Sequence, residues 1–227
     1  MDAERREELL RTVRTRFEEN SNSENALQMK RYMKDRFLFY GIQSVKRREL
    51  YSDVIKEMKA QKVIDFDLLD MFYEDEHREM NYFVMDAIRS MSKFLSIRDM
   101  KWVECFISEK QWWDIIDSLA VSIGNIKEKT ELFGLMDDYS RMDDIWFRRV
   151  SILFQLQYGE DTETELLSCI IDRNLGTGEF FIDKAIGWAL RQYARTDALW
   201  VRDFVEKRKD RLSRLSIREA LRHAGDI

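Results

Sequence analysis

Proline is absent from all 227 residues, glycine occurs only 8 times, and cysteine and histidine occur twice each. With no proline and so little glycine, few residues in the chain oppose a helix, and a charged fraction of 36% supplies straight-chain residues that favour one. Cys105 and Cys169 are too few for a disulfide framework. With only His77 and His223 beside them, they match neither a zinc-ligand pattern nor a Cys–His catalytic pair. No metal, cofactor or redox chemistry is therefore expected. No apolar run approaches the ~18 residues of a membrane span. The first residues, Met1-Asp2-Ala3-Glu4-Arg5-Arg6, are charged where a leader would be apolar, so a cytoplasmic protein without a membrane partner is expected.

Charge of one sign is not lacking, but it is unevenly placed. The formal net charge of −5 sums basic ends, +3 over residues 1–60 and +4 over 180–227, with an acidic middle of −12 over 61–179. A basic face can coexist with an acidic outer face, so the sum alone neither supports nor excludes a polyanionic partner.

Apolar residues make up 44% of the chain and fall at helical spacing. Leu9, Leu10, Val13 and Phe17 mark a first amphipathic helix over residues 3–19. Asn20-Ser21-Asn22-Ser23 reads as a turn, and a second helix runs from Glu24 through Ala26, Met29, Tyr32 and Met33. Phe37-Leu38-Phe39-Tyr40-Gly41-Ile42-Gln43 breaks the period as a buried connector, and Ser44 is positioned to cap the next helix. Further on, the segment beginning Met80-Asn81-Tyr82 aligns without gaps on those beginning Phe147-Arg148-Arg149 and Ile182-Asp183-Lys184. Other helices, over roughly 65–73, 99–107, 131–140 and 163–173, lie between them. Helix pairs repeating about every 35 residues, with no strand pattern, predict an all-α chain, an α-solenoid of HEAT-like repeats. One domain over 1–227 is expected, with the helices of 1–60 capping it and a monomer as the default state.

Two features within the repeats carry chemistry. In Lys110-Gln111-Trp112-Trp113-Asp114-Ile115-Ile116-Asp117-Ser118, a spacing of four puts Trp113 and Asp117 on one helix face, where a ligand could meet both. Core packing by the tryptophans, with the acids in solvent, is the competing reading. Arg149 and Lys184 share one repeat position near the start of the second helix of a pair. Arg48 and Arg218 fall at or near it in the terminal copies, and Tyr82 takes it between them. Cations beside helix N-termini suit a phosphate backbone, although a duplicated repeat also duplicates solvated arginines. His77, among acids, reads as solvated, and Trp102, Trp112, Trp146 and Trp200 read as packing residues.

Four blocks in order, Arg31 to Gln43, Trp112 to Ser118, Ile145 to Arg149 and Phe180 to Trp188, give the chain a likeness over nearly its full length. It resembles the AlkD-like DNA alkylation repair enzymes, HEAT-like repeat DNA glycosylases. The resemblance implies a concave DNA-binding groove and cofactor-free removal of cationic N3- and N7-alkylated purines from duplex DNA. It places the catalytic roles on Trp113, Asp117 and Trp188, and DNA contacts on Tyr32, Arg149 and Arg191, with Lys184, Gln43 and Arg48 from the same blocks and repeat position. Gln157 departs from the likeness, standing where a DNA-facing lysine is expected. A non-catalytic binder of DNA or branched DNA, and a protein-interaction scaffold, are the alternatives.

Overall fold

The computed structural model describes residues 1–222, so His223 lies outside the described residues. Among the described residues there are fourteen α-helices and no strand, the one ladder contact being an isolated bridge between Leu38 and His77. None of these helices is long and apolar enough to cross a membrane. The chain packs as two compact units, Met1–Leu95 and Ser96–Ile227. The all-helical expectation is met, and helix pairs recur within each unit as helical repeats require.

The first unit holds α1 (Ala3–Glu19), α2 (Ser23–Tyr32), α3 (Ser44–Leu50), α4 (Ser52–Ala60), α5 (Phe66–Tyr73) and α6 (Arg78–Ser90). The apolar stripe of α1, Leu9, Leu10, Val13 and Phe17, is buried as its spacing predicts. Phe17 meets Tyr51 edge-on, Tyr51 meets Phe83, and Phe83 stacks on Phe72, with centroids 6.0, 5.1 and 4.0 Å apart. By contrast, α2 buries none of its residues. It is anchored at its start, where Asn22 N donates to Tyr40 O at 2.8 Å. Gly41 makes this approach possible. Its φ is +87°, and a Cβ there would lie 2.0 Å from Asn22 O.

The connector is tied down by a buried carboxylate. Glu79, fully enclosed, accepts the backbone N–H groups of Tyr40, Gly41 and Ile42 at 3.1, 2.8 and 3.1 Å. These hydrogen bonds satisfy donors that an irregular buried segment would otherwise leave unpaired. Two local expectations change. Gln43, not Ser44, occupies the N-cap of α3, without a side-chain bond, because the helix already includes Ser44. His77 is not simply solvated, since it stacks on Tyr40 at 4.0 Å and sets Nδ1 3.1 Å from Asp75.

The second unit holds α7 (Met100–Ser108), α8 (Trp113–Ile123), α9 (Lys129–Tyr139), α10 (Ile145–Leu153), α11 (Thr164–Asn174), α12 (Phe180–Tyr193), α13 (Ala198–Arg208) and α14 (Arg214–Ala220). The second helices form one layer, in which α10 packs on both α8 and α12, and α12 on α14. The first helices are joined by polar bridges at the repeat spacing. Tyr139 donates to Glu104 at 2.6 Å, Arg173 pairs with Asp137, and Arg208 grips Asp172 through Nε and Nη2, each at 2.7 Å.

The α12–α14 contact is close because Gly187 has no side chain. A Cβ there would come within 2.7 Å of Glu219 Cβ and 3.1 Å of the Ser216 backbone. Gly187→Ala forces α14 outward, with an expected loss of about 1–3 kcal/mol in urea unfolding.

Candidate active site

The approach to α8 is shaped by a left-handed residue, Lys110 at φ +46°, and by Gln111, whose amide donates to Asp144 Oδ2 at 2.7 Å. Asp144 in turn caps α10, accepting from Trp146 N at 2.7 Å. One carboxylate thus ties the start of α8 to the start of α10. Trp112 occupies the N-cap of α8 and packs into an aromatic cluster, with centroids 5.8 Å from Trp146 and 5.1 Å from Phe181. Trp146 and Phe181 are 5.0 Å apart, so this cluster forms a floor shared by α8, α10 and α12.

Above this floor, Arg149 of α10 meets Asp117 of α8. Nε donates to Oδ1 at 2.6 Å and Nη2 to Oδ2 at 2.8 Å, a two-point fork that sets the plane of the carboxylate. The third guanidinium nitrogen, Nη1, donates to the Phe181 carbonyl of α12, and the guanidinium carbon lies 5.9 Å from the Phe181 ring. Arg149 is almost wholly buried, its side chain 3% exposed, while that of Asp117 retains 15%. Burial is the larger effect on Asp117 and raises its pKa above the ordinary aspartate value. Arg149 and the more distant Lys184 pull it back, whereas Asp114 adds to the rise.

The remaining predicted residues of this unit lie on α12. Trp188 is half-buried, and Lys184 and Arg191, four residues before it and three after, share its helix face. Lys184 is exposed, with its ammonium 5.7 Å from the Phe180 ring. Arg191 is engaged by Glu219 at 2.5 Å. Trp113 is the first residue of α8 and half-buried. Tyr32, Gln43 and Arg48 belong to the first unit and are exposed, Tyr32 at 69%. Arg48 Nε lies 3.3 Å from Asp86, which also binds Arg47 and Tyr51. Gln157 is exposed.

The repeat position proves more regular than the sequence alignment indicated. Arg48, Tyr82, Asp117, Arg149, Lys184 and Arg218 are each the fifth residue of their helix, in α3, α6, α8, α10, α12 and α14. Asp117 therefore belongs to the same series as the cations, and its pair with Arg149 joins two successive members. Sequence reasoning missed this pairing and the part played by Phe181, though opposite charges at equivalent positions of neighbouring repeats were a usable signal. Trp146 and Trp200 pack as expected, Trp146 buried and Trp200 against Tyr193 and Phe204, whereas Trp102 is half-buried with the Lys101 ammonium 5.6 Å from its ring. Among the described residues no group of three or more His, Cys, Asp or Glu is disposed to hold a metal ion.

Removing one partner of the buried pair strands the other. Asp117→Ala leaves the Arg149 guanidinium without its counter-charge and is expected to cost about 3–5 kcal/mol in urea unfolding. Asp117→Asn retains one acceptor and should cost less.

No curated protein matches the chain. A solved structure described as a predicted DNA alkylation repair enzyme from Enterococcus faecalis is similar to it at 29% identity and a TM-score of 0.82, covering 91% of this chain and 98% of its own. Residues 13–224 match the sequence profile of the DNA alkylation repair enzymes, and the chain belongs to that family.

Proposed function

We propose that the protein is a monofunctional DNA glycosylase that hydrolyses the bond between deoxyribose and a cationic N3- or N7-alkylated purine in duplex DNA. The observation that carries this reading is the Asp117 carboxylate, held at both oxygens by a buried guanidinium, one helical turn after Trp113. An alkylated purine is already a good leaving group. As its bond to C1′ breaks, the electron pair leaves with the base, and positive charge develops on the sugar. A fixed carboxylate stabilises that charge without reorganising, and water then adds at C1′ and releases its proton to solvent. The indole faces of Trp113 and Trp188 suit a cationic base and sugar. Exposed Tyr32, Gln43 and Arg48 on one unit, and the α12 face of the other, are the proposed contacts to DNA.

A second reading draws on the same pair. With both oxygens engaged, Asp117 also suits a structural bridge in a protein that binds DNA without acting on it.

Incubation with duplex DNA carrying 7-methylguanine separates the two. Base release by the wild type should fall about 10²–10³-fold in Asp117→Asn and about tenfold in Trp113→Ala, with duplex binding kept. Uracil should not be released, because nothing in this set protonates a neutral base. Binding without release selects the second reading, and neither activity sinks both. Asp117 acts ionised, so release should be lost as pH falls through its raised pKa, at a higher pH than an ordinary aspartate near 3.9 would impose.

A further inference from the structure

We propose that Arg149 serves as the positioning residue of Asp117 and makes no contact with the DNA backbone, while the cation that holds phosphate on this face is Lys184, one repeat further along. The inference rests on the reading of this face as the site of base release. Of the five N–H donors of Arg149, one on Nε and one on Nη2 meet the two Asp117 oxygens and one on Nη1 meets the Phe181 carbonyl. Its side chain is 3% exposed. To reach a phosphate the guanidinium would have to abandon a carboxylate that is itself largely buried, exchanging one anion for another and leaving the first uncompensated. A planar fork on a carboxylate plane is instead the geometry that fixes orientation.

Lys184 has the opposite character. It occupies the equivalent fifth helical position on α12, it is exposed, and it makes no ion pair among the described residues. Arg191, on the same face of α12, is bound to Glu219, so Lys184 is the cation of this face left open to a ligand. A hydrated ammonium on a flexible stem can follow a phosphate as a point charge. The charged groups acting on Asp117 are Arg149 from α10, Lys184 from α12 and Asp114 from its own helix. Replacing the Arg149 fork by a single ammonium therefore changes the titration of Asp117, an effect that loss of a phosphate contact would not produce.

Salt dependence of duplex binding tests the division of labour, with a double variant that removes both buried charges so that folding is kept. Each lost phosphate contact makes the slope of log affinity against log salt shallower by about 0.9. The expected result is that Lys184→Gln loses one such step, whereas Asp117→Asn/Arg149→Gln has the same slope as Asp117→Asn alone. In Arg149→Lys, release of 7-methylguanine should fall about tenfold in kcat with little change in KM, and its acid limb should move to higher pH. A slope shallower by about 0.9 in the double variant overturns the proposal, as does an unchanged slope in Lys184→Gln or an unmoved acid limb in Arg149→Lys. Wild-type protein that binds DNA but releases no base overturns the glycosylase reading, while the slopes still decide which cation meets phosphate.

Discussion

A carboxylate and a guanidinium buried against each other between α8 and α10 constrain much of what surrounds them in the second unit. Taking both charges out of water is costly, and their attraction inside the protein does little more than offset that cost. The pair is thus poorly explained as a source of stability and better explained by what it positions. It fixes the plane of Asp117, it reaches α12 through the Phe181 carbonyl, and its guanidinium lies 5.9 Å from the Phe181 ring, a member of the aromatic cluster with Trp112 and Trp146. The Gln111 to Asp144 bond repeats the same link at the helix starts, so α8 and α10 are held in register at two levels.

This arrangement has a counterpart in the first-helix layer. Glu104 with Tyr139, Asp137 with Arg173 and Asp172 with Arg208 each join a helix to its equivalent in the next repeat. A repeat array buries its apolar faces only against neighbours, so sliding of one repeat on the next is the deformation it must resist. Apolar packing is tolerant of small shifts, whereas a two-point ion pair is not. These part-buried bridges contribute little energy individually, but together they specify register.

The helices were legible because their apolar residues keep a 3.6-residue period and no proline interrupts them. The stripe of α1 and the boundaries of α5, α7, α9 and α11 came out within a residue or two of the expected ranges. The connector around Gly41 was legible as a break but not as a construction, since its support comes from Glu79, which lies 38 residues further on. The site was legible as Trp113 and Asp117 on one face, which needs only local spacing. Its pairing was not, because Arg149 was classed with the DNA-facing cations and burial is invisible in a list of residue types. His77 went the same way. Its acidic neighbours in sequence suggested solvent, while the stacking partner that half-covers it, Tyr40, is remote in the chain.

The distinction between charges present and charges exposed also resolves the acidic middle of the chain. Net charge counts every ionised group equally, but a pair closed on itself contributes little to the field a ligand meets. Asp86, Asp117, Asp137 and Asp172 all lie in the segment with net charge −12, and each is engaged by arginine. Two of those arginines, Arg149 and Arg173, are themselves counted in that segment, whereas Arg47 and Arg208 are drawn from the basic ends. Removing these pairs from the sum leaves Lys184 and Arg218, both exposed at the fifth position of their helices, as cations that the field retains. The affinity of such a surface for an anion depends on which cations have no internal partner, a property set by repeat register and not by composition.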